Sequence, residues 1–270
     1  MTPPTPIPLQ IPGLATELAL FVHGPRDRII SPRLRAEGIW EPFETRLIMS
    51  MLEPDQVFVD VGANLGYFSV LAAACVGSAG KVFAFEPDVD NFNLLCQNIE
   101  HNNYSSVISA EMAGLSEKDE VGQLFLSDDN LGDHQVFDAG GARNNTDISL
   151  LSGSNFLRHR TPHVHFFKID TQGSEWAVIQ GLMPLLRSQL QPARILVELT
   201  PLSLRQAGAS GRQLIDTLAQ LDQPFWIVDH IEHQLVRSTG PALATWCDNV
   251  DACAGDAGFM NILVGPGFSN

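Results

Sequence analysis

Between residues 56 and 265, short β-branched and aromatic runs alternate with longer runs of helical periodicity. The strand-like runs are QVFVDVG (56–62), KVFAFEP (81–87), VISAEMAG (107–114), QLFLSD (123–128), HVHFFKID (163–170), ARILVEL (193–199), PFWIVDH (224–230) and FMNILVG (259–265). Between them, LGYFSVLAAACVG (65–77), VDNFNLLCQNIEHNN (89–103), SEWAVIQGLMPLLRSQL (174–190) and GRQLIDTLAQL (211–221) repeat apolar residues at helical spacing, with an interruption expected at Pro184. Strands that are apolar almost throughout and separated by single helices form a parallel sheet covered on both faces, an α/β architecture. The last two strand runs have only a loop-rich insert between them, which predicts an antiparallel pair at a sheet edge. No internal repeat is present.

Upstream, residues 1–12 are Pro-rich and expected to be loosely held, and 15–38 read as a small hairpin or edge strands. In WEPFETRLIMSMLE, Pro42 suits a first helical turn and Phe43, Leu47 and Met51 repeat every four residues, so a helix is expected over 41–53. The chain thus divides into 1–54, an arm, hairpin and helix, and a main domain over 55–270. Residues 128–160 are polar and without periodicity, the mark of a functional loop or lid over an acceptor, to which Arg143, Arg158 and Arg160 contribute. A formal charge of −15 excludes a polyanion-coating protein, so no nucleic-acid or anionic-membrane partner is expected. The start has neither a basic segment nor an apolar core, so a cytoplasmic chain is expected, and the N-terminal arm is a candidate dimer contact. Cys75 and Cys96 read as buried thiols, and Cys247 with Cys253 as a weak candidate pair.

The strongest chemical signal is VFVDVGANLGYFS, a strand that runs into Asp60, Gly62, Asn64 and Gly66 and then a helix. Ligands of open α/β sheets sit at such strand ends. Gly62 allows a tight turn and close ligand approach, and Gly66 allows close packing at the helix start. Glu86 ends the next strand, 24 residues after Gly62, where a carboxylate can accept both hydroxyls of a ribose. A dinucleotide would require GxGxxG, but Asn64 stands at the middle glycine. S-adenosylmethionine has no phosphate and a zwitterionic tail, which suits this loop better; an NAD(P)-dependent oxidoreductase is the less favoured reading.

The blocks VFVDVGANLGYFSVLAA, VFAFEPDVDNFNLLCQNI, FFKIDTQGSEWAVIQGL and ILVELTP resemble the FkbM-type S-adenosylmethionine-dependent methyltransferases over about residues 38–200. The resemblance implies a Rossmann-like class I methyltransferase fold: a seven-stranded, mostly parallel sheet with helices on both faces and an antiparallel last strand. It also implies methylation of hydroxyl groups on sugars or natural products. By position, Asp60, Gly62, Ala63, Asn64, Gly66 and Tyr67 match the family's cofactor loop, Glu86 its ribose-binding acid, and Pro87 and Asp88 the stretch along the adenosine. Ala113 and Gly114 match the adenine segment, and Glu41 an acidic position close to the cofactor. Asp170 and Glu175, in KIDTQGSE, match a KIDVEGAE-like block of the family, and Glu198 the acid that ends the next strand. The chain departs from the pattern at Gln172, where Glu is common, and at Glu111, where Asn is usual.

Transfer to a hydroxyl requires in-line alignment and removal of the hydroxyl proton, hence a general base or a metal. The candidates are His134, in the polar segment, and Asp170 and Glu198 at strand ends, with Asp170 orienting either His134 or the acceptor. Alternatively Asp133, Asp170 and Glu198 hold Mg²⁺. His163 and His165 share one strand face and read as surface residues. Trp176 and Trp226 read as core, and Trp246 as a sugar platform. An N- or carboxyl-methyltransferase on the same scaffold is the alternative function.

Overall fold

The computed structural model describes residues 5–138, 140, 143–253 and 255–267. Residues 1–4 of the expected loose arm lie outside that set. In chain order the elements are β1 (Ile7–Pro8), β2 (Ala19–Leu20), α1 (Ile30–Glu37), α2 (Pro42–Met51), β3 (Val57–Val61), α3 (Tyr67–Val76), β4 (Lys81–Phe85), α4 (Val89–His101), β5 (Ile108–Glu111), β6 (Gly114–Ser116) and β7 (Glu120–Phe125). There follow β8 (Asn145–Ser152), α5 (Gly153–Leu157), β9 (Phe166–Ile169), α6 (Glu175–Ser188), β10 (Arg194–Leu199), α7 (Pro201–Gln206), α8 (Gly211–Ala219), β11 (Phe225–Asp229), β12 (Gln234–Ser238), α9 (Gly240–Ala252) and β13 (Met260–Val264).

The main sheet has the order β12-β11-β13-β10-β9-β3-β4-β5. Strands β5, β4, β3, β9 and β10 are parallel neighbours. The last strand, β13, is antiparallel to both β10 and β11, as the class I arrangement requires. One strand more than expected is present, because β12 folds back on β11 as an eighth, edge strand. The insert expected to be loop-rich thus holds β12 and the thirteen-residue α9.

Period-two alternation assigns the two faces. Val59 and Val61 of β3, with Phe167 and Ile169 of β9, pack into the core under α6 and α8. Phe58 and Phe166, whose rings stack at 5.6 Å, face the opposite core under α2 and α3. The same alternation puts Asp60 and Lys168, register partners on adjacent strands, on that second face. A cation and an anion inside otherwise apolar strands are costly to bury, which marks this face as the chemical one.

Several sequence expectations are corrected. Residues 30–37 form α1 rather than a strand, because Asp27 caps the turn by accepting the Ser31 N–H at 2.7 Å. The arm is not loose from residue 7 onward: β1 pairs with β2, and Leu9, Ile11 and Leu14 pack on the core. The run 107–114 breaks into β5 and β6, and β6, β8 and β7 form a separate three-stranded sheet. The polar segment 128–160 is therefore not loop throughout, since β8 and α5 occupy its second half. Helix α6 runs through Pro184, whose neighbour Leu185 donates its N–H to Ser154 Oγ at 3.0 Å. The cysteines are all free, and Cys96 is exposed. Among the described residues no helix is long and apolar enough to cross a membrane.

Candidate active site

Two cavities meet at the carboxyl ends of β3 and β9, sharing Gly62, Asn64, Gly132, Asp170 and Gln172. Gly62 is the hinge between them. Its φ is +82°, and a Cβ there would stand 1.9 Å from the Asp170 carbonyl oxygen, so only glycine fits. The N–H groups of Gly62 and Ala63 both donate to the Phe85 carbonyl at 3.0 Å, which ties the loop to the end of β4, next to Glu86.

The first cavity is a slot lined by Glu86, Pro87, Asn91, Gly114, Leu115 and Leu131, among others. The Glu86 carboxylate is buried but well supplied with donors: Asn64 N–H at 2.8 Å, Asp88 N–H at 3.0 Å and Asn91 Nδ2 at 3.5 Å. Burial outweighs these donors and pushes its pKa up to about 7. Asp88 does not line the slot; it caps α4 by accepting from Asp90 and Asn91 N–H. Ala113 and Gly66 are likewise outside both linings, Gly66 because it packs against Leu95. Asp60 lies beneath the loop, accepting from Ser69 Oγ at 2.6 Å and raised by burial.

Leu131, Gly132, His134 and Val136 wall one side of the slot. The Leu131 carbonyl accepts from Asn91 Nδ2 at 2.9 Å and from Asn64 Nδ2 at 3.4 Å. His134 lines the slot with both ring nitrogens turned toward protein groups: Nδ1 accepts the Ser127 N–H at 2.9 Å, and Nε2 stands 3.9 Å from Asp88 Oδ1. Burial lowers its pKa. Among the described residues no hydrogen bond joins His134 to Asp170, the partnership expected from the sequence.

The second cavity, about 250 Å³, is lined by Trp40, Glu41, Ala63, Tyr67 and Phe68 on one side and by Lys168, Asp170, Gln172 and Glu198 on the other. Here the Lys168 ammonium bonds Asp170 Oδ2 at 3.0 Å and lies 4.6 Å from the centre of the Phe68 ring. Burial pulls the lysine down, but Asp170, Glu41 and Asp60 together outweigh it and hold it above its ordinary value. The Gln172 amide donates to both Asp170 Oδ1 (2.7 Å) and Glu198 Oε2 (3.2 Å). A glutamate at 172 has no N–H to offer, so the departure noted in the sequence is what lets two carboxylates share one clamp. Glu198 is raised well above the usual carboxylate range by burial and by Asp170, Glu175 and Glu41. Glu41 is pushed up to about 8, chiefly by burial, and its Oε2 is shut off from solvent without any hydrogen-bond partner. Glu175 supports the turn from below, accepting the N–H groups of Thr171 and Gly173.

The Mg²⁺ trio does not assemble. Asp133 turns to Arg143 at 2.6 Å, and the lysine already fills the place beside Asp170. Among the described residues no group of three His, Cys, Asp or Glu is arranged to hold a metal. Trp246, the expected sugar platform, packs on the core from α9 and lines neither cavity. Lys168, Asn91 and Phe68 escaped the sequence reading. Lys168 carried a signal, a lone charge inside the apolar run FFKI.

The sequence pattern of the Methyltransferase FkbM domain matches residues 60–225. The hexuronic acid methyltransferase AglP of Haloferax volcanii is 30% identical over 148 residues, 53% of this chain and 56% of that protein, so the chain matches about half the length of this curated relative. Among solved structures, the methyltransferase FkbM of Methylobacillus flagellatus is similar with a TM-score of 0.47 at 14% identity, over 80% of this chain and 47% of that one. A SAM-dependent O-methyltransferase of Thermotoga maritima gives 0.44 at 14% identity, over 86% and 68%. The family match spans the glycine loop, Glu86 and the 168–175 block, and on that ground this chain belongs to the FkbM methyltransferase family.

Proposed function

We propose that this protein moves a methyl group from S-adenosylmethionine to a hydroxyl of a sugar or natural-product small molecule. The observation that carries the reading is the pairing of a donor-supplied buried acid at Glu86 with an unpartnered one at Glu41, on either side of a glycine hinge. Glu86 would take the ribose diol. Glu41 and Lys168 offer opposite charges to a zwitterionic amino-acid tail. Asn64, at the position where a dinucleotide site needs its middle glycine for close approach of the pyrophosphate, disfavours a dinucleotide. When bound, the donor supplies an electrophilic methyl on a cationic sulfur.

The chain's own residues then hold the acceptor and take its proton. Both oxygens of Asp170 are engaged, by Lys168 and Gln172, so Asp170 positions. Glu198 has Oε2 held by Gln172, and no described donor reaches Oε1. Its open oxygen on the cavity wall is placed to accept a hydroxyl proton. In this reading Glu198 is the general base, and His134 secures the slot wall on the Glu86 side. The similarity to the hexuronic acid methyltransferase AglP supports a sugar acceptor.

The test is a labelled-methyl screen against sugars, glycosides and aromatic acids, run beside calorimetry with S-adenosylhomocysteine. Glu198→Gln should lower turnover on any acceptor found by about 10²–10⁴-fold and leave adenosylhomocysteine affinity unchanged. Near-normal turnover in that variant removes Glu198 from the base role.

A further inference from the structure

The charge balance of the second cavity bears on what the acceptor looks like beside its reacting hydroxyl. Glu41, Asp170 and Glu198 line it, and the lysine among them is already bonded to Asp170. Glu41 Oε2 is buried without a donor, and Glu198 Oε1 receives none from the described residues. Glu44 Oε2, one helical turn on, is also buried and unpartnered, while its Oε1 is held by Asn261 Nδ2 at 2.8 Å and His230 Nδ1 at 2.9 Å. Trp40 and Tyr67 add aromatic surface to the same wall. The nearest arginine on that side, Arg33, already pairs with Glu37 and stands 5.5 Å from the Trp40 ring.

We propose that the acceptor carries a positively charged amine, as an amino sugar does, and that carboxylate-bearing acceptors such as uronic acids are disfavoured. The inference rests on the methyltransferase reading and refines its substrate class. With Glu41 opposite the donor's ammonium and Lys168 bonded to Asp170, Glu198 Oε1 is the carboxylate oxygen of this cavity left open to a further cation. An acceptor ammonium finds there a carboxylate oxygen without a described donor and the aromatic faces of Trp40 and Tyr67, both of which stabilise it. A uronate brings a fourth carboxylate into a cavity where no described cation is left to receive it, and like charges at that range cost affinity.

The experiment begins with the intact protein saturated with S-adenosylhomocysteine, whose binding is measured first. Glucosamine, glucose and glucuronic acid are then titrated into that complex, with binding rather than turnover as the readout. Glucosamine is expected to bind at least tenfold tighter than glucuronic acid, with glucose between, and Glu198→Gln should shrink that preference. Equal or tighter binding of glucuronic acid overturns the proposal, as does failure of all three sugars to bind the loaded protein. Absence of adenosylhomocysteine binding defeats the underlying methyltransferase reading instead, and the inference falls with it.

Discussion

Two buried carboxylates stand either side of Gly62 and are treated in opposite ways. Glu86 sits in the slot with two backbone N–H groups and an asparagine amide pointing at it. Glu41, with Asp170 and Glu198, sits in the wider cavity with one lysine, one glutamine and an orphaned oxygen. Neutral donors make Glu86 a finished receptor for hydroxyls. The other group has a single lysine among its carboxylates. The fold supplies the first with loop backbone and the second with side chains at the start of α2, the end of β9 and β10.

Lys168 tests the contrast most severely. Lys168→Met removes the lone lysine from beside Asp170, Glu41 and Asp60 and leaves buried charges uncompensated, so a loss of about 3–5 kcal/mol in urea unfolding is expected. A loss near zero would mean the carboxylates are mutually compensated in some other way. Next in size is Glu86→Gln, which forces an N–H against backbone donors; adenosylhomocysteine affinity should fall about ten- to a hundredfold by calorimetry.

The third prediction is pH dependence. Glu86 at about 7 and Glu41 at about 8 both titrate above the ordinary value of 4.5 because the fold disfavours their charged forms. Their contribution to stability is thus full below about pH 4.5 and is lost as pH rises through 7–8, at up to about 1.4 kcal/mol per pH unit for each group. A ribose diol and an ammonium favour the charged carboxylates, so adenosylhomocysteine should bind more tightly as pH rises through the same window, releasing protons. Equal binding heats in buffers of different ionisation enthalpy would contradict this. The smallest effect is expected at the other end of β9. There half-buried His163 meets His165 edge-to-face, 4.4 Å between ring centres, and His163→Ala should change stability by less than about 0.5 kcal/mol and cofactor affinity not at all.

The slot was largely legible in the sequence, and the wider cavity only in part. Gly62, Asn64 and Glu86 are local: a strand, a turn that only glycine can make, and an acid at a strand end announce themselves within a few residues of chain. Glu41 came through family resemblance alone, because its role depends on α2 folding back over a loop twenty residues later. Gln172 was visible as a substitution, but its sense was not. The bridge from Asp170 to Glu198 exists only once β9 and β10 lie side by side. The polar segment misled for a related reason. The polar residues of 145–152 look like loop, yet they pair with β7 in a small exposed sheet where alternation is weak. Strands were legible where they were fully apolar, and β12 was missed because its QLVRS sequence is that of a solvent-facing edge.

The central claim is that the slot and cavity together receive a phosphate-free adenosyl ligand. Titrating S-adenosylhomocysteine and NAD into the same protein by calorimetry addresses it directly. The account predicts saturable one-to-one binding of adenosylhomocysteine and no heat from NAD; comparable binding of NAD, or none of adenosylhomocysteine, would contradict it.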